Sequence, residues 1–150
     1  MHLTNYAINK SSNNFVKSTG EDDDSANKRT MTSIFEYMQE VEKGFSAEAM
    51  MDKIEDICVK TVLAAQPALA HAYRTCQPDD LENSTCFQIL GMDIMIDHKL
   101  KPWLIEVNHA PSFAADTGVD EDIKRELITH SLEIMKLSIE NRRNVDKELK

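Results

Sequence analysis

Long apolar runs are missing from this 150-residue chain. No stretch approaches the roughly 18 residues that a membrane-crossing helix needs, which argues against a helical span. The opening MHLTNYAINK has no apolar core of the kind a secretory signal carries. Cysteine is scarce: Cys58, Cys76 and Cys86 have no metal-type spacing, and an odd number without a signal reads as reduced thiols in a cytosolic protein. Basic charge is short, with 17 Lys and Arg against 26 Asp and Glu, a net charge of −9. That balance argues against nucleic-acid binding, whose footprint is a basic patch, and against gripping an acidic substrate by bulk electrostatics. The run Asp22-Asp23-Asp24 lacks the ligand ladder and glycine of a calcium loop and reads as solvated. Glycine and proline number four each, a globular composition of one-domain length.

What is present is a pattern of alternating elements. Residues 1–17 read as a short strand and loop, and 18–30 as a solvated, disordered loop with Ala26 its only apolar residue. Residues 32–43 suit a short helix stopped by Gly44. A long helix should start near Ser46, a good N-cap, with Met50, Ile54, Ile57, Cys58, Thr61 and Ala65 as a buried stripe. Pro67 should kink or end it, with ALAHAYRTC resuming the helix. Residues 86–96 switch to strand chemistry, and Pro102 suits the first position of a returning strand. A last helix is expected from about Asp120, with Ile128, Leu132, Met135 and Ile139 as its stripe, and 141–150 forms a charged tail.

The chemistry concentrates on the hairpin. A turn between Lys99 and Leu100 would place Asp93 directly opposite Glu106. Alternation would put Leu104, Glu106 and Asn108 on one face and Trp103, Ile105 and Val107 on the other. Two carboxylates and an amide oxygen on one patch are hard ligands suited to Mg²⁺, which usually arrives with phosphates. Apolar neighbours on both sides of each acid suggest an enclosed setting. Near the start, Thr4, Asn5, Asn9 and Lys10 gather donors and acceptors in a short stretch.

Taken together, HLTNYAINK and CFQILGMDIMIDHKLKPWLIEVNHAPSF resemble the C-terminal half of the tubulin tyrosine ligase-like family of ATP-grasp amide ligases. The resemblance covers residues 1 to about 140, and HAPSF after EVN resembles the polyglutamylase branch. It implies an α+β fold: the C-terminal part of an ATP-grasp domain, an antiparallel β-hairpin packed with long helices. Residues 1–140 would form a partial catalytic domain whose N-terminal lobe lies upstream. It further implies ATP and two Mg²⁺ ions as cofactors, with Asp93, Glu106 and Asn108 as metal ligands. Thr4 and Asn5 would line the nucleotide site, Tyr6 and Lys124 would meet the incoming amino acid, and His109 would face the acceptor peptide. Lys124, in the first turn of its helix, would also suit an anion by position. Ala7 stands where close relatives often have serine, so any hydroxyl role there is lost.

The implied reaction activates a glutamate side chain of a tubulin tail as an acyl phosphate, which the amine of free glutamate then attacks. No covalent nucleophile on the enzyme is needed. Partners would be tubulin tails, microtubules and free glutamate, with no nucleic acid and no membrane. The setting would be cytoplasmic, on the microtubule cytoskeleton, at a cilium or basal body. The alternatives are a glycylase or tyrosine ligase of the same family, or a non-catalytic tubulin-binding fragment. The 150 residues alone are expected not to catalyse.

Overall fold

The computed structural model describes residues 6–17, 26–80 and 86–135. The elements run α1 (Tyr6–Asn9), α2 (Met31–Val41), α3 (Ala47–Cys76), β1 (Gly91–Ile96), β2 (Pro102–Asn108) and α4 (Gly118–Ile134). The α+β expectation holds. The chain divides into two compact units: Met31–Ser112, and Met1–Thr30 with Phe113–Lys150. Among the described residues, no helix is long and apolar enough to cross a membrane. The three cysteines are free thiols. The Asp22–Asp24 run, Ile139 and the 141–150 tail lie outside the described residues.

In the Met31–Ser112 unit, α2 ends at Val41 and the chain turns at Gly44, whose φ of 92° is a left-handed conformation that favours glycine. Ser46 then caps α3, its Oγ accepting from the N–H of Ala49 at 3.2 Å. Phe35 of α2 is buried and meets Phe45 edge-on, ring centroids 5.6 Å apart. Met50 in the first turn of α3 is buried. Ile54, Ile57, Cys58 and Thr61 are half-buried, and Ala65 is exposed, so the expected stripe fades along α3.

Helix α3 runs through Pro67 to Cys76, so ALAHAYRTC resumes the helix as expected. Proline has no N–H for the carbonyl of Leu63. Leu63 is exposed, so water can serve that carbonyl, and the alanines around it favour helix.

The hairpin is shorter than expected at its entry: residues 86–90 are not strand, and β1 begins at Gly91, opposite Asn108. Beyond Asn108 the chain leaves the ladder. The side chain of Gln88 holds the carbonyl of His109 at 2.7 Å in place of a backbone bond.

In the other unit, the described part of the 1–17 stretch expected as a short strand and loop opens with a single helical turn, α1, and has no strand; residues 1–5 lie outside the described residues. Residues 26–30 form the loop expected, but one that is only partly solvated. Ala26 is buried, and Asn27 makes a two-way clamp with Val16, donating its N–H to the Val16 carbonyl (3.1 Å) and accepting the Val16 N–H on Oδ1 (2.8 Å). Helix α4 starts two residues before the expected position because Thr117 caps it. It buries its N-terminal end, at Val119 and Asp120. Ile128 and Leu132 of the expected stripe are exposed.

Candidate active site

The hairpin that carries the carboxylates is built from its tip inward. Asp97 organises the tip: its Oδ1 accepts the N–H groups of Lys99 (2.8 Å) and Lys101 (3.0 Å), and its Oδ2 accepts the indole N–H of Trp103 (2.9 Å). The backbone closes through Asp97 N–H to the Lys101 carbonyl and Leu100 N–H to the Asp97 carbonyl. Leu100 takes the left-handed φ of 58° that a three-residue tip requires. Lys101 Nζ lies 3.7 Å from the Trp103 ring centre, a cation–π contact that steadies the exposed indole.

The indole hydrogen bond, followed by the backbone N–H groups, lowers the Asp97 carboxyl to about 2. A depressed folded pKa stabilises the turn above the unfolded value of about 3.9, and that support is lost as the pH falls toward the folded pKa. Trp103 is the sole tryptophan, so its fluorescence reports the turn. We expect emission to hold constant down to about pH 4 and to change only as the pH approaches about 2. A midpoint above pH 4 would contradict this arrangement.

From the tip, the pairs run Ile96 with Pro102, Met95 with Trp103 and Ile94 with Leu104. Asp93 then pairs with Glu106, leaving Ile105 as an extra residue in β2. The acids therefore face each other as the sequence suggests, but by another route: the tip is centred on Lys99 rather than between Lys99 and Leu100, and a β-bulge makes up the difference. The bulge also changes the faces expected from simple alternation. Paired residues share a face, so Trp103, Glu106 and Asn108 lie with Asp93, while Leu104 and Val107 lie behind.

Asn108 donates through Nδ2 to Glu106 Oε1 at 3.1 Å, completing the expected triplet. Contrary to the enclosed setting expected, Asp93, Glu106 and Asn108 are all exposed. The Asp93 carboxyl is nevertheless pushed up, by partial loss of hydration, by the Glu106 charge and by a hydrogen bond between the two carboxyls. Two carboxylates placed opposite each other repel, and a cation between them relieves the repulsion. Among the described residues, no three His, Cys, Asp or Glu side chains gather as a metal cage. Two carboxylates with an amide fit Mg²⁺ nonetheless, because that ion is commonly held by one or two carboxylates together with substrate phosphates.

Gly91 leaves room for the chain beyond the acids. A Cβ there would stand 3.2 Å from the Pro111 Cβ and 3.5 Å from the Asn108 Cβ. His109 follows Asn108, exposed, with its carbonyl fixed by Gln88. An apolar groove of about 690 Å³, lined by Val62, Leu69, Tyr73 and Phe87 among others, contains none of the candidate residues.

The remaining candidates belong to the other unit. Thr4 and Asn5 lie outside the described residues. Tyr6 opens α1. Lys124 is in the second turn of α4, not the first, because Thr117 caps the helix early; it lies beyond the free N–H groups of the helix end. Its Nζ donates to the Ala114 carbonyl and lies 3.4 Å from Asp120 Oδ1.

Asp120 is a residue that sequence reading placed only in a first turn of acidic residues. It is 5% exposed, accepts from Lys28 Nζ at 2.5 Å and from Thr117 Oγ at 2.8 Å, and lies one turn before Lys124. Burial pushes its carboxyl up. The hydrogen bonds from Lys28 and Thr117 and the charges of Lys28 and Lys124 outweigh burial and hold it below its ordinary value. The T-x-x-D spacing of Thr117 and Asp120 was the available signal. Lys28, 92 residues away, gave none.

The α+β arrangement and the acid-bearing hairpin agree with what the whole sequence matches: over residues 1–145 the chain belongs to the tubulin-tyrosine ligase family. Within it, the chain is 43% identical over 150 residues to the tubulin polyglutamylase ttll6 of Danio rerio, covering 100% of this chain and 18% of that protein. It is 46% identical over 136 residues to a probable beta-tubulin polyglutamylase of Tetrahymena thermophila (90% and 11%). It is also 42% identical over 148 residues to the tubulin polyglutamylase TTLL6 of Homo sapiens (99% and 16%). The chain thus spans less than a fifth of the length of these relatives.

Proposed function

We propose that the full-length protein carrying this chain is an ATP-dependent tubulin–glutamate ligase. It would join the amine of free glutamate to a side-chain carboxylate of a glutamate in a tubulin tail. The observation that carries the reading is the Asp93–Glu106 pair with Asn108 beside it, on a chain whose similar relatives are named tubulin polyglutamylases. A carboxylate is a poor electrophile, and ATP with two Mg²⁺ ions would supply the phosphoryl group that activates it.

The residues of this chain position and neutralise. Asp93 and Glu106 would hold Mg²⁺ through their carboxylate oxygens, with Asn108 offering its amide oxygen. Thr4 and Asn5 line the nucleotide, Tyr6 and Lys124 orient the incoming glutamate, and His109 faces the acceptor peptide. The reaction is placed in the cytoplasm on microtubules, at a cilium or basal body.

The test offers labelled glutamate, glycine or tyrosine to the full-length protein with Mg²⁺, ATP and tubulin. Glutamate alone should enter tubulin. Entry of glycine or tyrosine instead would make the protein a glycylase or a tyrosine ligase. Co-sedimentation with microtubules without ATP turnover would make it a non-catalytic binder.

A further inference from the structure

The buried carboxylate of Asp120 stands between two lysines of very different origin. Lys124 is one helical turn along α4. Lys28 comes from the segment that Asn27 clamps to Val16, so its backbone is fixed independently of α4. The two contacts are unequal: Lys28 Nζ is 2.5 Å from Oδ1, whereas Lys124 Nζ is 3.4 Å from the same oxygen and donates to the Ala114 carbonyl. The second carboxylate oxygen takes the Thr117 hydroxyl.

One negative charge thus faces two positive ones. The closer lysine takes most of the compensation, and the farther one is directed without being neutralised. A buried carboxylate held on both oxygens is also a rigid reference point, because each contact helps satisfy a group that is costly to bury.

We propose that Asp120 and Lys28 together form a positioning device for Lys124: Asp120 orients the Lys124 ammonium, and Lys28 absorbs the Asp120 charge, so that Lys124 keeps its own for an anionic substrate group. The chemical class of that group is a carboxylate of the incoming amino acid, and this identity rests on the reading of Lys124 given above. Neither Asp120 nor Lys28 touches the reacting atoms in this scheme. Lys28 acts through charge alone, so a neutral side chain of similar length should not replace it.

The test measures the KM for glutamate and kcat in the full-length protein with ATP and tubulin. Lys124→Met should raise the glutamate KM about tenfold or more, the loss of one charge-assisted hydrogen bond. Asp120→Asn should raise it to a similar extent, with kcat changed less than about threefold, and Asp120→Glu should restore part of the loss. Lys28→Met should also raise KM, because the Asp120 charge then falls on Lys124.

The decisive comparison is Asp120→Asn made in the Lys124→Met background, where it should add less than about twofold, since nothing remains to be positioned. If the two effects multiply, Asp120 is merely structural and the proposal fails. If Lys124→Met raises KM while Lys28→Met and Asp120→Asn do not, the proposal fails and the reading of Lys124 stands. If Lys124→Met leaves KM unchanged, the reading of Lys124 fails and takes the proposal with it. Should Asp120→Asn not fold, Lys28→Met alone and in the Lys124→Met background decides by the same rule.

Discussion

Glu106→Gln in the full-length protein should abolish glutamate ligation, by about a thousandfold or more in kcat/KM, as expected when a metal loses one of its two carboxylates. The substitution keeps the size of the side chain and removes its charge. Glu106 is exposed and accepts from Asn108 Nδ2, a bond the glutamine oxygen can keep, so the fold should survive, and circular dichroism with a melting curve checks that. The change should also be visible at Asp93. Two causes of its raised carboxyl, the Glu106 charge and the shared hydrogen bond, disappear together. The Asp93 pKa, followed by carboxyl-carbon NMR on this chain, should therefore fall toward the ordinary value. Ligation within tenfold of the parent would remove Glu106 from the metal site. An unchanged Asp93 titration would show that the two carboxyls do not meet in solution.

Phe35→Ala should have the largest effect on stability. Phe35 is 7% exposed, and its ring meets Phe45 at 63° on the far side of the Gly44 turn. Removing a buried phenylalanine typically costs about 3–5 kcal/mol. A domain is stable by only about 5–15 kcal/mol in total, so much of the Met31–Ser112 unit's stability would be lost. Urea unfolding followed by circular dichroism measures the change. A loss below about 1 kcal/mol would show that the Phe35–Phe45 contact is not part of the core that holds α2 to the start of α3.

The elements with strong local signals were legible from residue types. Ser46 had a capping hydroxyl and a helical pattern behind it, and Pro102 had nowhere better to sit than the head of a strand. The opposition of Asp93 and Glu106 was legible for the same reason: two acids on either side of a polar tip, each within an apolar run. The route between them was not. Nothing in residue type distinguishes Ile105 as the unpaired residue, because bulges are chosen by tip geometry and twist rather than by local preference.

Pro67 left two outcomes open, and helix α3 takes the one in which ALAHAYRTC carries the helix on to Cys76; which of the two wins depends on whether the lost hydrogen bond can be replaced, and exposure is a tertiary property. The lysine at position 28 was hidden in a polar stretch. Its value comes from Asp120, and ion pairs across such a separation leave no periodic trace. The exposure of Asp93 and Glu106 is not legible in the sequence, because flanking apolar residues suggest enclosure. On a two-stranded ladder those neighbours point to the other face or into the open.

The hairpin's extra residue has a consequence for parity. Counted strictly outward from the tip, the ladder would set Ile105 against Asp93 and turn Glu106 to the back of the sheet. One unpaired residue restores the count. Deleting Ile105 would bring Glu106 up next to Leu104, still against Asp93, on a regular ladder. Ile105 is thus dispensable for the meeting of the acids once the strand is shortened to match. What it contributes is local twist beneath them, and with it the angle at which their oxygens converge.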